Sequence, residues 1–278
     1  MRPFFLGYNT NGLAHHAFPD ACRLIADEGF EGVAVTLDHD LLRRNADGGL
    51  EFRTSPAEIA KIVRHCGLRC VVETGARFLL DPAKKHEPTF FDPDAARRKM
   101  RQAYYFRAVE LAAETDATCV SLWTGQNSPS EEGNYEMFRG SLIPVMEYAR
   151  SLGVKIALEP EPGMLVGTTR EYDELLAVMP EADDLWLTLD VGHMICSGEP
   201  IYETIRKYRH RLVNVHLDDG RRGEHEHRKL GFGEINFAAV FEALTEIGFA
   251  GGACVELSRH SREAPEAVRE SREFLLKI

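Results

Sequence analysis

The sequence predicts an α/β fold, a (β/α)8 barrel with residues 1–278 as one domain. Three observations point there. Eight short apolar runs alternate with eight longer segments of helical character, which is the arithmetic of this barrel in a chain of 278 residues. The runs are apolar without clean two-residue alternation, as expected of strands covered on both faces. No GxGxxG follows the first run, so a doubly wound dinucleotide-binding sheet fits less well.

The predicted strands are FFLGYN (4–9), GVAVTLD (32–38), CVVETG (70–75), CVSLWTG (119–125), KIALEPE (155–161), LWLTLDVG (185–192), LVNVHLDD (212–219) and GACVELS (252–258). Helices are predicted near 18–29, 55–67, 93–115, 131–152, 169–178, 200–210, 236–248 and 262–277. Ser55 is a natural N-cap with Pro56 at the first helical position, and Gly67 ends that helix. Asn236 caps the next-to-last helix, whose apolar stripe is Phe237, Val240, Phe241 and Leu244, and Gly248 ends it. The stretch 75–94 has no regular pattern, and a loop that long reads as a lid or a binding loop.

A formal net charge of −11 argues against a general nucleic-acid binder, which shows a basic face. Six cysteines with no CxxC pair, no leader-like apolar stretch and no membrane-length run lead to the expectation of a reduced, cytoplasmic protein away from membranes. A symmetric homodimer is the commonest closed assembly, but nothing in the sequence fixes the oligomeric state.

The polar residues at the strand ends carry the chemistry. In such barrels the reactive face is built from the C-terminal ends of the strands and the loops after them. The last four strands each end in a metal-type ligand: Glu159, Asp190, His216 and Glu256. Taken singly, each has an ordinary structural explanation, as a surface acid, a capping residue or a hydrogen-bonded core histidine. Taken together, they come from neighbouring strands and converge at one end. Three carboxylates around one imidazole repel one another, and one divalent cation neutralises them. An O/N donor set without thiolate suits Mn2+ or Mg2+ first, with Co2+ or Zn2+ next. Such an ion would stabilise the enediolate formed when a proton leaves the carbon beside a carbonyl, with Glu159 and Glu256 as the natural bases.

The motifs ALEPEPG, LTLDVGHM, VNVHLDD, KLGFGEINF and ACVEL together resemble the sugar-phosphate isomerase/epimerase family. Its fold is the xylose-isomerase-like TIM barrel, shared with ketose 3-epimerases and the endonuclease IV type of repair enzyme. The match is clearest over 154–258. The resemblance implies that Glu159, Asp190, His216 and Glu256 are the metal ligands and that the two glutamates are the catalytic acid/base pair. It implies substrate-binding roles for His193 and Arg222. It also implies a glycine turn at Gly231 and Gly233 before the last helix. The expected substrate is a small carbohydrate, and the reaction isomerisation or epimerisation. Dehydration, as in inosose dehydratases, is the alternative, and phosphoester hydrolysis a more distant one.

Two departures matter. Leu165 stands where ketose 3-epimerases carry a further glutamate. The third and fourth strand regions lack the histidines of the endonuclease branch; Glu73 is read as a substitute for one of them and as a substrate-binding residue. His225 and His227 fall where that branch has a D-x-H ligand pair, so a second metal on His193, His225 and His227 is conceivable. Trp123, at the end of the fourth strand, is either an apolar wall against a sugar ring or a cap on the core. Arg77, Lys84, Lys85 and His86 either grip a phosphate or carboxylate or form a solvated loop. Arg221, Arg222 and Arg228 are open to the same two readings.

Overall fold

The computed structural model describes residues 2–126 and 133–278, and its eight principal strands close into a parallel barrel. In chain order they are β1 (Phe5–Asn9), β2 (Gly32–Thr36), β3 (Arg69–Glu73), β4 (Val120–Leu122), β5 (Ile156–Leu158), β6 (Trp186–Asp190), β7 (Leu212–Leu217) and β8 (Gly252–Val255). Each pairs with the next, and β1 pairs with β8 to shut the cylinder. Closure leaves no strand edge exposed.

Around it lie α1 (Phe18–Asp27), α2 (Pro56–His65), α3 (Ala95–Glu114), α4 (Asn134–Ser151), α5 (Thr169–Val178), α6 (Val191–Ser197), α7 (Ile201–Lys207), α8 (Phe237–Glu246) and α9 (Ala264–Leu275). The capping signals act as expected. Ser55 and Glu58 form a reciprocal capping box on α2, and the Asn236 side chain accepts from Ala239 N on α8. The helices' buried residues pack with the outward faces of the strands into one large apolar layer.

Inside the cylinder is a second, smaller apolar layer: Phe5, Ala34, Val71, Cys119, Ala157, Val213 and Cys254. Side chains on a strand alternate between faces, so the residue two further along points inward again. That step leads from Val71 to Glu73, from Ala157 to Glu159 and from Cys254 to Glu256. On β7 the register against β6 shifts between Leu187 and Thr188, so Leu212 and Asn214 pair with consecutive β6 residues. The extra residue, Val213, lets both it and Asn214 face the interior, and His216 follows on the inner face. The polar layer above the apolar one is therefore a consequence of strand period and one bulge.

Except for β1, which ends at Asn9 as predicted, the strands are shorter than predicted at their C-terminal ends, because the chain leaves the barrel as soon as the loops begin. Glu159 lies just beyond β5 and Glu256 just beyond β8. The run read as one strand to Gly192 stops at Asp190, whose carboxylate caps α6 by accepting from His193 N at 2.8 Å. Two short hairpins were also not anticipated, Leu42–Arg44 with Leu50–Phe52 and Asp219–Arg221 with Glu224–Arg228. The glycine turn precedes α8, not the last helix. The predicted start of the fourth helix, 131–132, lies outside the described residues.

Candidate metal centre and active site

The register of the barrel brings the strand-end ligands together. Asp190 pairs directly with His216 across β6 and β7, and Cys254, two residues before Glu256, pairs with His216 across β7 and β8. Donor atoms of Glu159, Asp190, His216 and Glu256 all lie within 4.8 Å of one another. His216 Nδ1 is 2.8 Å from Glu256 Oε2, 3.1 Å from Glu159 Oε1 and 3.8 Å from Asp190 Oδ2. On the other side of the ring, His216 Nε2 and Asn214 Nδ2 both donate to Glu73 Oε1, at 2.8 and 2.9 Å. With Nε2 against Glu73, Nδ1 is the ring nitrogen turned to the three carboxylates. A carboxylate behind a histidine in this way fixes the tautomer and raises its basicity as a ligand.

The electrostatics are those of an acidic cluster taken out of water. Burial, opposed by His216, pushes the Glu159 carboxyl up to about 7. Burial, then the charge of Asp218, pushes Asp190 well above the usual carboxylate range. For Glu256 burial acts upward, but the charge and hydrogen bond of His216 outweigh it and hold the carboxyl low. For His216 itself burial acts downward, and Glu159, Glu73 and Glu256 outweigh that and raise it. Asp190 Oδ2 is buried and makes no hydrogen bond among the described residues. Three carboxylates and one imidazole nitrogen, buried and converging, fit a divalent cation with hard to borderline preferences.

Beside this cluster lies a cavity of about 670 Å³, lined among others by Glu73, Trp123, Glu159, His193, Arg77 and Arg259. His193 sits in α6, 5% exposed, with Nδ1 at 3.4 Å from Glu159 Oε1, and neither ring nitrogen makes a hydrogen bond among the described residues. Burial first, then His227 and His225, hold His193 well below the usual imidazole range. The three rings cluster, with His193 centroids 4.9 Å from His225 and 5.4 Å from His227, and their nitrogens form a second convergent donor set. A third set joins Asp190, Asp218 and His227. Asp218 was not singled out in the sequence. It accepts from Gly192 N at 3.1 Å and lies 2.7 Å from His227 Nδ1, so it ties α6 to the hairpin after β7.

Trp123 lines the cavity with its ring against the edge of His86, centroids 5.3 Å apart. Glu73 reaches the cavity, but its Oε1 is taken by His216 and Asn214, so it acts as a support for the histidine. Arg222 is not brought to the site. The turn at Gly223 (φ +76°) leaves it exposed, with its guanidinium against Gly198. Arg228 is spent on Glu224 and Glu226. Arg259, which the sequence reading passed over, lines the cavity instead. Leu165 is buried in the core, and its neighbour Met164 lines the wall there. Glu161, two residues past Glu159, also faces the cavity, with His225 Nε2 at 3.7 Å, and burial followed by the charge of Glu159 pushes it up to about 8.

A profile of the family described as xylose isomerase-like TIM barrel matches residues 22–278. The chain belongs to that family. Among its relatives are an uncharacterized protein of Methanocaldococcus jannaschii, 31% identical over 182 residues, and an inosose dehydratase of Clostridium botulinum, 30% identical over 142 residues. Those matches take in 60% of this chain and 60% of the first relative, and 45% of this chain and 47% of the second. An L-ribulose-5-phosphate 3-epimerase of Shigella flexneri is 24% identical over 84% of this chain and 83% of its own length. Among solved structures, the 3-keto-D-glucoside 4-epimerase of E. coli superposes with a TM-score of 0.76 at 18% identity, over 99% of this chain and 100% of that one. The barrel of this family member is thus the one its motifs implied, and its relatives include sugar epimerases.

Proposed function

We propose that the chain is a divalent-metal-dependent isomerase or epimerase acting on a sugar, a sugar phosphate or a related polyhydroxy carbonyl compound. The observation that carries this reading is the meeting of Glu159, Asp190, His216 and Glu256 within 4.8 Å beside the cavity. A bound Mn2+ or Mg2+, or less favourably Co2+ or Zn2+, supplies Lewis acidity for negative charge on adjacent substrate oxygens. The residues do the rest. Glu159 and Glu256 reach the site from different strand ends. One takes the proton from the carbon beside the carbonyl. If the other returns it to the opposite face, the product is an epimer. If a single carboxylate carries it to the neighbouring carbon, the product is an isomer. His193, whose ring nitrogens make no hydrogen bond among the described residues, holds a substrate hydroxyl, and Trp123 offers its face as an apolar wall.

The test is exchange. The Mn2+-loaded chain, incubated with a panel of aldoses and ketoses in deuterated water, is expected to place deuterium on the carbon next to the carbonyl of at least one of them. Absence of label across a broad panel contradicts the proposal.

The inosose dehydratase relatives favour a second reading. Here the same proton abstraction is followed by loss of a β-hydroxyl. Glu161, beside His225, is placed to protonate the departing oxygen. A product lighter by one water separates the two readings.

A further inference from the structure

The loop after β3 and the loop after β8 meet over a single carbonyl. Arg77 Nη2 and Ser261 Oγ both donate to Asn11 O, at 2.6 and 3.0 Å. The side chain of the same Asn11 donates to Glu256 Oε1 at 2.6 Å. Asn11 therefore stands between Glu256 and a patch of cations. Arg77 is held in a left-handed conformation (φ +50°) by a clasp with His86: Arg77 N donates to His86 Nδ1 at 3.2 Å, and His86 N donates back to Arg77 O at 2.6 Å. The clasp brings Lys85 round to the same wall. Arg259, two residues before Ser261, completes it from the other side, and all three cations line the cavity.

Only Arg77 has an acidic neighbour, Asp38 at 3.6 Å. Lys85 and Arg259 are exposed and form no ion pair among the described residues. Behind the wall, Arg101 is 1% exposed. It donates to Tyr105 Oη at 2.9 Å and to the carbonyls of Thr74 and His86, with no carboxylate partner among the described residues. Burial, then Lys85, Arg101 and Arg77, push His86 down to about 3, as a wall of positive potential would. The chain has a net charge of −11, and one side of its cavity nevertheless carries a net positive set with Ser258 and Asn11 beside it.

We propose that Arg77, Lys85 and Arg259 form an anion subsite for the end of the substrate remote from its carbonyl, so that the substrate is a phosphorylated or carboxylated polyhydroxy ketone or aldehyde. This rests on the proposed function only in taking the cavity as the substrate site. Guanidinium and ammonium groups at a cavity mouth bind phosphate and carboxylate alike, by charge-assisted hydrogen bonds. The acidic floor would repel a free anion. A subsite at the rim lets the charged end stay with the cations while the carbonyl end reaches Glu159 and Glu256.

The experiment uses three probes with one carbon skeleton: D-fructose 6-phosphate, D-fructuronate and D-fructose, titrated calorimetrically into the Mn2+-loaded chain. At least one of the two anions is expected to bind about tenfold or more tightly than D-fructose at low salt, with the advantage shrinking at high salt. The phosphate and carboxylate arms identify which anion is meant. The double variant Lys85→Ala/Arg259→Ala changes exposed side chains, and circular dichroism checks that it is folded. It is expected to lose that preference while binding Mn2+ as the parent does. Equal binding of all three probes, or a preference that survives in the folded double variant, overturns the subsite. Deuterium exchange keeps the two readings apart. Label entering D-fructose without any anion preference sinks the subsite alone. An anion preference without label in any probe sinks the proton-transfer reading and leaves the subsite standing.

Discussion

Glu73 and His216 lie 143 residues apart in the chain and meet at 2.8 Å, carboxylate oxygen to Nε2, inside the barrel. That contact decides which ring nitrogen faces Glu159, Asp190 and Glu256. Removing the charge but not the shape, Glu73→Gln, is expected to weaken Mn2+ binding by about tenfold while leaving the far-UV circular dichroism unchanged. Calorimetric titration of Mn2+ into the variant reads this directly. An unchanged affinity would mean that the orientation of His216 is set elsewhere.

Asp190 has two duties that substitution can separate. It belongs to the donor cluster and it caps α6 through His193 N. Asp190→Asn keeps an oxygen for the cap and removes the anionic ligand. Asp190→Ala removes both. In the presence of a chelator the Ala variant is expected to be less stable than the Asn variant by about 1 kcal/mol, the usual worth of an N-cap. Both are expected to fail to retain Mn2+. Urea unfolding and metal counting on the two proteins check the pair of expectations.

His86 predicts a pH dependence. Its folded value is pushed down to about 3, below the ordinary 6.5 of an imidazole, first by burial. A histidine held neutral in the fold contributes stability that is full above about pH 6.5 and declines as pH falls toward the folded value. The stability difference between the parent and His86→Gln should therefore shrink between pH 7 and pH 4.5. Urea unfolding at the two pH values measures it. A difference that stays constant would show that His86 is not kept neutral by its surroundings.

Gly233 is fixed by its neighbours. A methyl group there would overlap the carboxylate of Asp219 and the carbonyl of Gly220. Asp219 in turn accepts from the backbone N–H groups of Gly220, Gly231 and Ile235, at 2.9, 2.9 and 3.2 Å, and so holds the turn that leads into α8. Gly233→Ala is expected to cost about 1–3 kcal/mol, as overpacking does. At Gly248 (φ +65°) an added methyl meets nothing within 4 Å among the described residues, so Gly248→Ala reads the cost of a left-handed glycine without a clash. Thermal unfolding of both variants compares them.

The sequence was most legible where physics acts locally. Strands buried on both faces announce themselves by composition, and the donors Glu159, Asp190, His216 and Glu256 stand where such runs end. The helix α6 was hidden because VGHMIC continues the apolar run of β6, and only the capping bond from Asp190 to His193 marks the change of structure. The hairpin carrying His225 and His227 was hidden because EHEHR has no apolar alternation to signal a strand. The supporting role of Glu73 rests on partners on β7 that no local pattern reveals. Arg222 is exposed beside the left-handed Gly223 and does not line the cavity, a placement that no local pattern announces. Arg259 lies in no motif and lines the cavity from the loop whose Ser261 donates to Asn11 O.

The most direct measurement is electron paramagnetic resonance of Mn2+ titrated into the purified chain and into Asp190→Asn. One tightly held ion per chain is predicted for the parent, with its signal returning to that of free Mn2+ in the variant. No bound ion in the parent, or an ion held equally well by the variant, would contradict the four-residue centre on which the proposed proton transfer depends.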